Sequence, residues 1–200
     1  MSDLAATCGP RAGQGLATPQ LQSEITDYES PYLTVTRALK RMPSGSEATY
    51  YLRTESDVAV CLPLTTGGSV IMVEEYRHGP GRWLFEIPAG SVDPGEEVMA
   101  AAAREVLEET GYAGQLIHLC TTWISAYSSA RKHIYLMRDA QRISAPRLTP
   151  SDLLRVAEVT RPTFEQIVRS GELTDLDAGL SCLDWMRTHA GDCEGCSSGS

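Results

Sequence analysis

Apolar and polar residues alternate along this chain at two different periods, and the changes of period divide it into elements. From about residue 31 to residue 88 the pattern is short and rich in β-branched and aromatic residues: YLTVTRALKRM, then ATYYLRTE after the turn PSGSE, then DVAVCLPLT, then SVIMVEEYR after the turn TTGG. Runs of this length bounded by Gly, Pro and Ser predict strands. Residues 90–112 change to a helical period, in which Met99, Ala102, Ala103 and Val106 form one apolar stripe. Strand-like QLIHLCTTWIS and KHIYLMRDA follow, joined by the polar link AYSSAR. Two helical patterns close the sequence, one starting at Thr163 and one running from Thr174 through DLDAGLSCLDWMRTHAG. Strands that do not alternate regularly with helices predict a mixed α/β (α+β) sheet rather than a doubly wound parallel one.

Residues 1–25 lack any period and are expected to form a flexible leader. Residues 26–188 are expected to form one domain, with N-terminal strands within 31–58, and residues 189–200 a flexible tail. The length of 200 residues and a 42% hydrophobic content suffice for one sizeable core. A net charge of −9 opposes binding to nucleic acid or to an anionic membrane, so a small anionic ligand needs local help from a metal ion or a few arginines. No window approaches a membrane span and the start lacks the pattern of a secretory signal, so a cytoplasmic protein with reduced thiols is expected. Cys193 and Cys196, with Cys182 and His189 nearby, resemble half of a zinc site, but no second C-x-x-C accompanies them and the expected reading is a frayed end.

The helical segment carries the chemistry. Asp93, Pro94 and Glu96 suit an N-cap, the first helical position and the third, and Gly111 suits the stop. Glu105, Glu108 and Glu109 fall within an arc of roughly 100°. Glu108 and Glu109 sit in the last turn, where each anion opposes the helix dipole by roughly 0.3–1 kcal/mol, and Arg104 offsets only Glu108 as an i+4 neighbour. A divalent cation reverses the sign of this arrangement. Hard carboxylate oxygens without His or Cys favour Mg²⁺ or Mn²⁺ over zinc.

The order Gly90, five residues, Glu96, seven residues, Arg104-Glu105-Val106-x-Glu108-Glu109-x-Gly111 resembles the box of the Nudix hydrolases at each fixed position. The resemblance implies a Nudix fold, an α/β/α sandwich with an N-terminal antiparallel strand region. It also implies metal-dependent hydrolysis of a nucleoside diphosphate linked to another moiety. On this reading Glu105, Glu108 and Glu109 are catalytic metal ligands, joined by the main chain of Ala89. Glu96 orients the cluster, Arg104 is a structural partner of the glutamates, and Gly90 and Gly111 are backbone necessities. VEEYRHGPGRWLFEIPAG resembles the entry to the box in ADP-ribose pyrophosphatases, which implies Arg77 and Glu86 near the substrate and a homodimer. Arg131 is a further candidate for phosphate, and Tyr76 or Trp83 for stacking on a base or sugar.

Two features depart from that group. It usually has a proline about sixteen residues beyond the box, whereas none occurs here between Pro94 and Pro146. The loop AYSSARKH also lacks the glutamate that often activates water, since no acidic residue lies between Glu109 and Asp139. The base is then Glu105, or His133, or the protein hydrolyses poorly. The substrate alternatives are ADP-ribose or a similar ADP-sugar, another nucleotide sugar, a dinucleotide or a biosynthetic intermediate; a non-hydrolysing nucleotide sensor is a reading of another class.

Overall fold

The computed structural model describes residues 17–149 and 153–189. Its elements are β1 (Gln20–Glu29), β2 (Thr34–Arg41), β3 (Glu47–Thr54), β4 (Val58–Thr65), β5 (Val70–Arg77), β6 (Arg82–Glu86), β7 (Ala89–Ser91), α1 (Val98–Thr110), β8 (Tyr112–Trp123), β9 (Arg131–Arg142), β10 (Leu154–Val159), α2 (Arg161–Ser170) and α3 (Leu176–Thr188). They form two compact units that divide between Thr54 and Glu55.

In the first unit β1, β2 and β3 pair antiparallel in that order. Residues 20–25, expected in a leader, are part of β1. Every residue of that strand is exposed, so no buried face imposes a period on its sequence.

The second unit is built on a mixed sheet of order β10-β5-β4-β9-β8, with β6 paired to β5 and β7 to β4. The β4–β9 pairing is parallel and the others are antiparallel. β4 is buried from Ala59 to Leu64, which explains why VAVCLPLT has almost no polar alternation. Val60, Leu62, Ile134 and Leu136 face Phe164 and Val168 of α2 and Cys182, Leu183 and Met186 of α3. Ala59, Cys61, Tyr135 and Met137 face Ala101, Ala102 and Val106 of α1. Successive residues of one strand thus feed opposite layers, giving the expected α/β/α sandwich.

Several boundaries differ from the expectation. Asp93-Pro94-Gly95-Glu96 is a turn preceding α1, not its first turn: the Glu96 N–H donates to the Asp93 carbonyl at 2.9 Å and Gly95 has φ +82°. Pro followed by a positive-φ Gly is the signature of a type II turn, and that φ is incompatible with a helix. Glu97 becomes the N-cap. The buried stripe is Ala101, Ala102, Val106 and Thr110, while Met99 is exposed. α2 starts before Thr163, because Thr160 caps it and accepts from the Thr163 N–H at 3.3 Å. Cys193 and Cys196 lie outside the described residues. Cys61, Cys120 and Cys182 are free thiols. No helix among the described residues is long and apolar enough to cross a membrane.

Candidate active site

The end of α1 lies against β7 and β5, and a cleft of about 350 Å³ opens there. Its walls include Glu105, Glu108 and Glu109 from α1, Ala89 from β7, Glu75 to Arg77 from β5, His78, and Arg147 and Leu148 from the β9–β10 connection. A shallower recess of about 490 Å³ shares Glu75 to His78 and adds Thr174 and Asp175. Of the candidates named from the sequence, Tyr76, Arg77, Ala89 and the three glutamates line this cleft.

Arg104 holds the cluster together more extensively than an i+4 pair. Its Nε donates to Glu96 Oε1 at 2.8 Å, its Nη1 to Glu105 Oε1 at 2.6 Å and Glu108 Oε2 at 3.4 Å, and its Nη2 to the Ser91 carbonyl at 3.0 Å and Glu96 Oε2 at 2.9 Å. Glu96 also accepts from the Asp93 N–H at 3.0 Å. Arg104 and that N–H hold the Glu96 carboxyl down to about 2. Glu96 therefore does not cap α1; it anchors the arginine that anchors Glu105.

Burial pushes the Glu105 carboxyl up, with Arg104 pulling it back and the Glu108 and Glu96 charges adding to the rise. Glu109 is pushed up to about 8, first by burial and then by the charges of Glu105 and Glu75, against the Ala89 N–H and Arg77. That N–H donates to Glu109 Oε2 at 3.3 Å. No basic residue occupies the last turn of α1. The helix end is therefore electrostatically unfavourable when nothing but protein surrounds it.

Gly90 is a steric requirement. It lacks a positive φ, but a Cβ there would overlap the Glu105 carboxylate. Gly111, by contrast, has φ +77° and ends the helix in the left-handed region, packed against the Ser144 carbonyl.

The remaining candidates separate. Arg77 lines the cleft, with Nε 3.3 Å from Glu86 Oε1 and Nη2 3.3 Å from Glu75 Oε2. Glu86 is fully buried, bonded by Arg77 and the Thr174 hydroxyl, and is not a wall of the cleft. Burial pushes its carboxyl up while those two partners oppose the shift. Arg131 is not in the walls either. Its guanidinium donates to the carbonyls of Thr122 at 3.1 Å and Thr121 at 3.3 Å and lies 4.0 Å from the Trp123 ring. His133 is held by Asp57 at 3.2 Å and Thr121 at 3.1 Å, which leaves it away from the cleft as well. Tyr76 is a wall, whereas Trp83 lines a separate groove.

Sequence reasoning missed Glu75, His78 and Arg147. Glu75 was recoverable, because it precedes Arg77 by two positions on a strand and so shares its face. The loop AYSSARKH does not line this cleft. Ser128, within it, bonds Glu55 at 2.7 Å, and the described wall opposite α1 comes from the β9–β10 connection.

Among the described residues no three His, Cys, Asp or Glu side chains are already gathered as a coordination shell. The carboxylates are turned onto Arg104 and the Ala89 N–H instead. The donor chemistry nevertheless fits a hard divalent cation: three carboxylates share one cleft with the main chain of Ala89, and glycine at position 90 leaves Glu105 room there.

Residues 54–173 match the NUDIX domain, and the chain belongs to the Nudix hydrolase family. Members of this family generally use a divalent metal. The chain is 29% identical over 137 residues to an ADP-ribose pyrophosphatase of Bacillus subtilis, covering 67% of this chain and 74% of that one. It is 27% identical over 127 residues to a CMP-5'-(N-acetyl-N-hydroxy-3-aminopropyl)phosphonate hydrolase of Streptomyces rubellomurinus, covering 62% of each. A solved structure described as an ADP compounds hydrolase superposes with a TM-score of 0.76 at 21% identity, over 88% of this chain and 98% of that one, and shares the fold.

The raised Glu109 carboxyl gives a prediction for the metal-free protein. A folded value of about 8 against an ordinary 4.5 means that the native state holds this proton more tightly than the unfolded chain. The resulting stabilisation is complete below about pH 4.5 and is lost as pH rises through about 8. In EDTA, the difference in Tm between the wild type and Glu109→Gln, which cannot titrate there, should fall by several degrees between pH 5 and pH 9. Excess Mg²⁺ should flatten that fall. Differential scanning fluorimetry decides: parallel curves in EDTA would mean that Glu109 is not strained by its surroundings.

Proposed function

We propose that the chain is a pyrophosphohydrolase of the ADP-ribose type, cleaving ADP-ribose or a similar ADP-sugar to a nucleoside monophosphate and a sugar phosphate. The observation that carries this reading is the cleft in which Glu105, Glu108, Glu109 and Ala89 meet Arg77 and Arg147. The likeness to the ADP-ribose pyrophosphatase supports the substrate class.

The metal is Mg²⁺, with Mn²⁺ able to replace it; once bound it polarises phosphoryl oxygens and lowers the pKa of an attacking water. Glu105, Glu108, Glu109 and the Ala89 main chain would hold it. Arg104, fixed by Glu96, keeps Glu105 in place. Glu105 lines the cleft, unlike His133, and is the box glutamate assigned to take the proton from the attacking water. His133 is committed to Asp57 and Thr121. Arg77 offers positive charge to the diphosphate beside the helix, and Tyr76 offers a ring to the nucleoside limb in the adjoining recess.

The relative that hydrolyses a CMP-linked phosphonate favours a second reading, the same chemistry on a different nucleoside-linked substrate. Incubation with Mg²⁺ and a panel of ADP-ribose, other nucleotide sugars and CMP-linked compounds separates the two by which monophosphate is released. Tight binding without cleavage across the panel would support a nucleotide sensor instead.

The chain is assigned to the cytoplasm, without nucleic-acid or membrane partners, as a homodimer. Leu21, Ile25 and Tyr28 on the exposed β1 supply apolar surface for a second copy. Sedimentation equilibrium should give twice the chain mass of 21.7 kDa, and Ile25→Lys should shift the population toward monomer. A monomeric wild type at micromolar concentration contradicts the assignment.

A further inference from the structure

We infer that Arg147 grips the substrate's diphosphate and so is a substrate-binding residue of this site. The inference rests on the proposed function and names the group that meets the phosphates.

The β9–β10 connection is fastened to the end of α1. The N–H groups of Ile143 and Ser144 donate to the Gly111 carbonyl at 2.9 and 3.2 Å, and the Arg147 N–H donates to the Glu108 carbonyl at 2.7 Å. Carbonyls in the last turn of a helix lack intrahelical donors, so this segment satisfies groups that would otherwise be unpaired. Its consequence for the site is positional. The backbone of Arg147 is fixed to one of the glutamates assigned to the metal, and its side chain lies in the wall of the same cleft.

Among the described residues three guanidinium groups lie near the acidic cluster, and two are committed. Arg104 is bonded to Glu96, Glu105, Glu108 and the Ser91 carbonyl. Arg77 is divided between Glu86, which is fully buried, and Glu75. Arg147 differs from both. Its side chain is 65% exposed, and among the described residues its one carboxylate contact is Glu108 Oε1 at 4.0 Å, beyond hydrogen-bond range. Its planar fork of donors is therefore available to a ligand.

The charge balance requires such a group. Glu75, Glu105, Glu108 and Glu109 oppose two guanidinium groups among the described walls of the cleft, and a diphosphate adds further negative charge. A divalent cation offsets part of this excess. Phosphate oxygens pointing away from the ion still need donors, and a guanidinium binds them in a bidentate manner. With Glu108 committed to a cation, the Arg147 guanidinium would be released from the one carboxylate within 4.0 Å of it among the described residues and would meet those oxygens.

The test uses the full chain with Arg147→Ala and Arg147→Lys, and reads two ligands separately. Mn²⁺ binding without nucleotide, followed by electron paramagnetic resonance, should stay within about 2-fold of wild type in both variants, because Arg147 donates no metal ligand. Binding of the non-hydrolysable diphosphate α,β-methylene-ADP in the presence of Mn²⁺ should weaken about 10- to 100-fold in Arg147→Ala and less in Arg147→Lys. KM for ADP-ribose should rise more than kcat falls, with Tm unchanged. Wild-type affinity for the diphosphate in Arg147→Ala overturns the inference. So does an equal loss of Mn²⁺ affinity, which would mean that Arg147 only supports Glu108. If the wild type itself takes up no Mn²⁺ and cleaves nothing, the proposed function falls and this inference with it.

Discussion

Replacing Glu109 with glutamine should lower kcat by about 10³-fold or more while leaving the protein folded. Metal-assisted charge stabilisation is worth several kcal/mol, and each 1.36 kcal/mol is a factor of ten. The substitution keeps the shape of the side chain and removes the charge a cation needs. It also removes the group that burial and the Glu105 and Glu75 charges make hardest to ionise. The metal-free variant should therefore be at least as stable as the wild type at pH 8. Loss of activity together with retained stability is the pattern of a functional charge. A variant that turns over ADP-ribose at the wild-type rate would remove Glu109 from the mechanism.

Gly90→Ala should reduce kcat/KM about 10²-fold with a change in Tm of no more than a few degrees. The reason is space. A methyl group at this position overlaps the Glu105 carboxylate, and the easiest relief is for that flexible side chain to swing out of the cleft. The backbone itself tolerates alanine, since Gly90 has no positive φ. A misplacement of about 1 Å in a catalytic group can cost 10²-fold. Steady-state kinetics at Mg²⁺ below saturation should show the loss, and higher metal concentration should recover part of it. Gly111→Ala makes an informative contrast, because φ +77° and the adjacent Ser144 carbonyl should make it lose stability as well. Unchanged kinetics in Gly90→Ala would mean that Glu105 does not need its observed position.

The site was legible in the sequence to the extent that it depends on residue identity at fixed helical spacing. Glu105, Glu108 and Glu109 share a helix face whatever the rest of the chain does, and Gly111 ends that helix by the same local rule. The start of α1 was not legible, because Asp93-Pro94-Gly95-Glu96 serves equally as a capping sequence and as a type II turn; the positive φ of Gly95 selects the turn. β1 was lost for a different reason. QLQSEITDYE buries neither face and carries register shifts at Leu21/Ser23 and Thr26/Tyr28, so no period of two survives in it. β10 was also missed: its pairing with β5 is a long-range event that leaves only a weak alternation in LRVAEV. Arg147 belongs to no motif and reaches the cleft only because the chain returns over the end of α1. Arg131 is the converse case: a basic residue at a loop end whose guanidinium meets backbone carbonyls and a Trp ring, outside the walls of the cleft.

Calorimetric titration of Mg²⁺ into the metal-free protein at pH 7, repeated in buffers of different ionisation enthalpy, tests most directly whether the glutamates at the end of α1 exist to hold a cation. With Glu109 pushed up to about 8, most of the metal-free protein carries a proton there at pH 7, and binding must displace it. Saturable uptake with release of about one proton per ion is expected, and loss of both in Glu109→Gln. Absence of uptake by the wild type, or the same uptake and proton release in Glu109→Gln, would contradict it.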